Sequence, residues 1–194
     1  MGEIKSAFEK AMEKVANLEK ASPEELRRME YVPKGGALAA KYLREEGYDL
    51  RGELSKYETN LRKYLFEGAE GTFLRNIALP QDKHARQRVK KAMEGIVVLK
   101  GNRKRLEGIF EKMEHLFNYY EQTRQQAYEE LRGNFEMQMR EAKRQLEQQT
   151  GRKVEIRPEQ QPQFQEEWRR TLAALNTQYE KVLEEQKQEI KRIR

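Results

Sequence analysis

The stretch NRKRLEGIFEKMEHLFNYYEQTRQQAYEELRGNFEMQMREAKRQLEQQT, residues 102–150, decides how the rest of the chain is read. It contains no proline, and its only glycines are Gly108 and Gly133. Apolar residues recur at Leu106, Phe110, Met113, Phe117, Tyr120, Ala127 and Leu131, mostly in alternate steps of four and three. That is the spacing of a helix with one packed seam. Arg124 interrupts the seam, which then shifts to Tyr128, Leu131, Phe135, Met139, Ala142 and Leu146. A change of phase predicts a bundle contact rather than a uniform coiled coil. At about 1.5 Å per residue the helix is a rod of roughly 70 Å. Lys100-Gly101-Asn102 supplies the turn before it, with Asn102 as N-cap, and Gly151 supplies the stop after it.

A second helix follows. The connector Gly151-Arg152-Lys153-Val154-Glu155-Ile156-Arg157-Pro158 alternates Val154 and Ile156 with charges, so a short extended piece is expected. Pro158 and Pro162 prevent a continuous helix. From Gln163, apolar residues return at Phe164, Trp168, Leu172, Leu175, Tyr179 and Val182, and Leu183, Ile190 and Ile193 continue the face. So polar a helix gains most of its stability by packing on a partner. The nearest in sequence is the first arm.

Residues 1–100 read as several short helices. Ile4, Phe8, Ala11, Met12, Val15 and Leu18 share one helical face. Ser22-Pro23-Glu24-Glu25 has the form of a capping box with proline at the first position. That helix is expected to end near Pro33, before Lys34-Gly35-Gly36, with a separate run over 37–45 stopped by Gly47. Asp49 is the expected cap of a helix over 50–65, with Leu50, Leu54, Tyr57, Leu61 and Leu65 on one side. Gly68 to Leu79 is short and apolar, and Pro80 closes it. Asp82 caps a further helix to about Leu99. The expected architecture is therefore all-α. It comprises a small helical domain over 1–100 and a long antiparallel, coiled-coil-like hairpin over 101–194, with arms at 102–150 and 163–194.

Composition narrows the function classes. Charged residues make up 37% of the chain and the mean hydropathy is −1.08, which suits elongated helices with a thin core. There is no cysteine, hence no disulfide, thiolate ligand or thiol nucleophile. No apolar run approaches the roughly 20 residues of a membrane span, and a cytoplasmic protein is expected. Met1-Gly2-Glu3-Ile4-Lys5-Ser6 fits the loose N-myristoylation pattern, although the segment also reads as the start of an amphipathic helix.

The chemistry of catalysis is sparse. Serine occurs only at Ser6, Ser22 and Ser55, histidine only at His84 and His115, and no nucleophile elbow or phosphate loop is present. Glu107, Glu111 and His115 lie four apart on one helix face, but the paired Glu-x-x-His motifs of a di-metal bundle are missing. Gly68-Ala69-Glu70-Gly71 has the G-x-x-G form of an RNA-clamping loop, but its glutamate would repel phosphate. A hinge or helix junction is the expected role. Trp168 reads as a core anchor near the hairpin tip. The chain is accordingly expected to be non-enzymatic, with no catalytic residue, metal or cofactor.

The positive charge is concentrated. Residues 83–105 hold Lys83, Arg86, Arg88, Lys90, Lys91, Lys100, Arg103, Lys104 and Arg105 against Glu94 alone, a local excess larger than the +6 of the whole chain. Such a window attracts phosphate backbones through counterion release; it also reads as a solvated helix face. A smaller cluster, Lys187, Lys191, Arg192 and Arg194, ends the chain, where cations suit the negative end of a helix without any partner.

Three segments carry a resemblance: Met-Gly-Glu-Ile-Lys-Ser-Ala-Phe-Glu-Lys-Ala at 1–11, Leu-Pro-Gln-Asp at 79–82, and Gly-Arg-Lys-Val-Glu-Ile at 151–156. Together they resemble a family of uncharacterised bacterial proteins, a domain of unknown function, along the whole chain. The resemblance implies a bacterial, cytoplasmic protein and supplies no catalytic residues. The leading expectation is a helical binding protein whose nine-residue basic patch meets RNA, on or off the ribosome. The competing one is a protein-only scaffold or assembly factor that uses its helical seams for self-association or a protein partner. Neither involves a membrane.

Overall fold

The computed structural model describes residues 22–151 and 157–193, and of residues 142, 146 and 150 the backbone alone. The face at Ile4 to Leu18, the Met1–Ser6 pattern, the extended piece at Val154 and Ile156, and the side chains of Ala142 and Leu146 lie outside this description. The described residues contain no strand, so the fold is all-α. Its helices are α1 (Pro23–Arg44), α2 (Leu50–Ser55), α3 (Thr59–Asn76), α4 (Lys83–Lys100), α5 (Arg103–Thr150) and α6 (Pro162–Arg192), with a 3-10 turn at Pro158–Gln160. Packing divides them into two units. One takes the described residues up to Ile77 together with Arg88–Gly101; the other takes Ala78–Gln87 and the described residues from Asn102 onward.

In the first unit α1 begins as expected. The Ser22 side chain accepts from the Glu25 N–H, and Glu25 accepts from the Ser22 N–H at 2.7 Å. It does not end at Pro33: Pro23–Arg44 is one helix with Pro33 inside it. The expected break at Lys34-Gly35-Gly36 is corrected by what those glycines touch. A Cβ on Gly35 would stand 2.0 Å from the Leu65 carbonyl oxygen, and one on Gly68 would stand 1.9 Å from that of Val32. Helices α1 and α3 thus cross backbone to backbone, and α1 continues through Pro33 beside α3. Contacts rise together along both helices: Glu24 with Lys63, Arg28 with Glu67, Tyr42 with Phe73. The two helices therefore run in the same direction. Gly68-Ala69-Glu70-Gly71 lies within α3 and is neither a hinge nor a junction.

The single helix expected over 50–65 is two helices. Asp49 caps α2 by accepting from the Gly52 N–H, and the chain leaves the helix after Ser55. Arg62 closes the break, donating to the Ser55 carbonyl at 2.7 Å and the Tyr57 carbonyl at 2.8 Å. The core comprises Leu50, Leu54, Leu65, Ala69, Phe73, Ile77, Val89, Met93 and Ile96. Gly95 faces the Phe73 ring, where a Cβ would stand 2.5 Å away.

The second unit is built on α5 and α6. Asp82 caps α4 by accepting from the Ala85 N–H at 2.7 Å. Gly101 and Gly151, with φ of 66° and 64°, take the left-handed conformation that a bounding glycine permits. Residues of the two helices meet in opposite order: Lys112 with Glu189, Tyr120 with Asn176 and Tyr179, Tyr128 with Trp168, Phe135 with Phe164. The packing is antiparallel. On α5 the seam uses Leu106, Ile109, Met113, Phe117 and Tyr120, and on α6 Phe164, Leu183, Gln186, Ile190 and Ile193. Ile109 rather than Phe110, and Leu183 rather than Val182, are the buried members.

Polar groups interrupt this seam. The Tyr120 hydroxyl donates to Asn176 Oδ1 at 2.8 Å, and Thr123 and Tyr179 share a hydrogen bond of 3.0 Å. Such pairs lock one register, because a slip of one turn would bury both partners unpaired. Gln186 is buried with no partner for its Oε1 among the described residues.

Candidate nucleic-acid interface

The nine cations of residues 83–105 are divided between the two units. Lys83, Arg86, Arg103, Lys104 and Arg105 belong to the hairpin unit; Arg88, Lys90, Lys91 and Lys100 belong to the other. Four are engaged within their own unit. Arg86 donates to Glu114 and to Asn118 Oδ1 at 2.9 Å, lies 3.5 Å from Glu121, and covers the Phe117 ring. It fastens the start of α4 to α5. Lys91 donates to the Glu45 carbonyl at 3.2 Å. Lys100 pairs with Glu70 at 2.9 Å, with only 11% of its side chain exposed. Arg103 pairs with Glu107 at 3.0 Å. Lys83, Arg88, Lys90, Lys104 and Arg105 are exposed. Arg88 and Lys90, two residues apart, point to opposite sides of α4.

The antiparallel register assembles a different group. Extending the contacts from Lys112–Glu189 toward the helix ends places Leu106 and Ile109 opposite Ile193 and Ile190. The start of α5 and the end of α6 therefore share one end of the hairpin. Lys104, Arg105, Lys191 and Arg192 are all exposed there. Neither cluster predicts the other in sequence, since about 85 residues separate them; only the register joins them. Glu107 and Glu111 flank the group, the first already paired with Arg103.

The local electrostatics of α5 are unusual at this end. Its first turn holds no acidic residue, and its N-cap, Asn102, makes no side-chain capping bond. Three consecutive cations stand at the positive pole of the helix, where positive charge is disfavoured by about 0.3–1 kcal/mol each. By contrast, Lys191 and Arg192 occupy the last turn of α6, where cations are favoured. Lys187, one turn earlier, lies half-buried beside the seam, and burial pulls its ammonium below the usual lysine range.

Glu107, Glu111 and His115 do not converge, and no group of three potential ligands among the described residues could hold a metal ion. The Ser22 and Ser55 hydroxyls are both committed to neighbouring backbone groups. An open groove of about 1300 Å³ beside Arg132, Glu136, Met137, Arg140 and Pro158 mixes both charges and selects no ligand by sign. No described helix is long and apolar enough to cross a membrane.

Sequence reasoning missed two exposed members of the α5 surface, Lys112 and Tyr119. Tyr120 is fully buried on the seam, as its spacing predicts, and its neighbour Tyr119 is 64% exposed. A step of 100° between neighbours separates them, so the same phase that puts Tyr120 on the seam turns Tyr119 outward.

No curated protein and no solved structure matches the chain. A family model matches residues 51–192, covering parts of both units. The chain belongs to that family, a family of unknown function (DUF6657).

Proposed function

We propose that the chain is a non-enzymatic helical binding protein whose hairpin base holds the phosphate backbone of RNA. The observation that carries this reading is the gathering of Lys104, Arg105, Lys191 and Arg192 at one end of an antiparallel pair. The α5 N-terminus supports it. Uncapped N–H groups and unfavourably placed cations both gain from a bound anion, and helix N-termini are ready phosphate sites. The proposal is narrower than a nine-residue patch, because Arg86, Lys91, Lys100 and Arg103 are engaged in internal contacts. Co-sedimentation with ribosomes, and filter binding of RNA in rising salt, test it. Binding at low salt that weakens steeply with salt is expected, and changing Arg103, Lys104 and Arg105 together to Glu should abolish it. Absence of binding at low salt overturns the reading.

A second reading, a protein-only scaffold, rests on Met137, which is 68% exposed on α5. Sedimentation of the purified chain discriminates. Self-association that Met137→Glu abolishes favours a scaffold; a strict monomer counts against one.

A further inference from the structure

The outward face of α5 carries a feature that the fold does not use. Helices recruit glycine in this protein where backbones touch, as at Gly35 and Gly68. Gly108 is different. It lies inside α5 and is exposed, and, as at the half-exposed Gly133 further along the helix, a Cβ built on it would meet nothing within 4 Å among the described residues. A glycine inside a helix weakens it, and here no contact among the described residues offsets the loss. Its neighbours on the same side, at steps of three and four, are Lys104, Arg105 and Lys112, with His115 and Tyr119 continuing the row. All five are exposed. Residues 80–87 cover one flank of the helix through Arg86 and Arg124, and α6 covers another through Tyr120 and Thr123. Among the described residues the row from Lys104 to Tyr119 is the side left open; Glu111 lies beside it, and Glu189 of α6 stands 3.7 Å from Lys112, whose side chain stays 63% exposed.

We infer that this face is a track for single-stranded RNA, with the sugar–phosphate backbone riding close over Gly108 between Lys104, Arg105 and Lys112, and an unpaired base stacking on Tyr119. Steps of 1.5 Å put Tyr119 about 22 Å from Lys104 along the helix, so several successive nucleotides are engaged. Duplex RNA cannot offer an unstacked base to a lone tyrosine, whereas a single strand can. The inference rests on the RNA reading of the hairpin base and adds to it the form of the RNA and the path that it takes.

The test is fluorescence anisotropy of a labelled 12-nucleotide single strand and of the same sequence as a duplex, using the full chain. Tyr119→Ala should weaken single-strand binding about tenfold, Tyr119→Phe should restore it, and neither should change duplex binding. Gly108→Leu should weaken single-strand binding at least fivefold while raising the thermal midpoint, an outcome that unfolding cannot produce. If Lys104→Glu with Arg105→Glu abolishes binding while Tyr119→Ala and Gly108→Leu leave it unchanged, the track is wrong and the hairpin-base reading survives. If the unaltered chain binds no RNA at low salt, both are wrong. If it instead forms a dimer that Gly108→Leu disrupts, the open glycine serves a second copy of the chain and the track is overturned.

Discussion

The two units solve the problem of helix packing in opposite ways. In the first, α1 and α3 cross at Gly35 and Gly68, so closely that any side chain at those points would strike carbonyl oxygens. In the second, α5 and α6 are held apart by large side chains, with Phe117 and Tyr120 fully buried and tyrosine rings meeting edge to face. The first design is intolerant of added volume at its crossing. The second tolerates polar layers, and an arm of 48 residues cannot be covered by a partner of 31. Glycine therefore has two meanings in one chain. Where it is buried it is a packing device. Where it is open, as at Gly108, it is a cost that the isolated fold does not explain.

That contrast can be broken at several points. The largest effect is expected at the crossing. Gly35→Val or Gly68→Val should cost more than about 4 kcal/mol, because a rigid backbone cannot move aside for the new side chain. Loss of the cooperative urea transition of that unit would show it, and a shift of only a few tenths would refute the close crossing. Next is Phe117→Ala, expected to destabilise the hairpin by about 3–5 kcal/mol through the cavity it leaves.

The smaller effects have opposite signs in the two units. Gly108→Ala should stabilise by up to about 1 kcal/mol, where the same change at Gly35 destabilises. Lys187→Met should also stabilise at neutral pH, since burial disfavours the charged ammonium and the methionine stem fills the same space. Its sign follows from the lowered folded pKa. The unfolded chain binds the proton more tightly, so the penalty is full below the folded value and fades as pH rises toward that of the unfolded lysine. Urea midpoints of both chains should therefore converge at high pH. The smallest effect is at the α1 cap. The Ser22 N–H bond holds the Glu25 carboxyl below the usual range. Its support is present above the unfolded carboxylate pKa and is lost as pH falls through the folded value. Amide exchange at the start of α1 should accelerate over that acid interval, and Glu25→Ala, which removes the carboxylate that accepts from the Ser22 N–H, should remove the effect.

Long-period features were legible in the sequence, and close approaches were not. The bounds of α4, α5 and α6 follow from Asp82, Gly101, Gly151 and Pro162, because caps and breakers act locally. Gly35, Gly36, Gly68 and Gly71 misled by the same rule, since only the fold reveals that a helix lies against three of them. The break between α2 and α3 was hidden because the arginine that closes it, Arg62, is itself in the next helix. The one-residue error of Phe110 for Ile109, and the inclusion of Val182 beside Leu183, reflect the drift of a 3.6-residue helix against a seven-residue count. Charge counting located the basic window but could not see that Arg86 and Lys100 are half or more withdrawn into ion pairs. Nor could it join residues 104 and 105 to 191 and 192, which only the antiparallel register does.

The most direct test of the account is the salt dependence of RNA binding at the hairpin base. For single strands, log K falls by about 0.7 per phosphate contact for each unit of log salt. Changing Lys104, Arg105, Lys191 and Arg192 to Gln should therefore make that slope shallower by roughly 3, while the same change at Lys83, Arg88 and Lys90 should leave it unaltered. An unchanged slope in the first variant, or a lost slope in the second, would contradict the account.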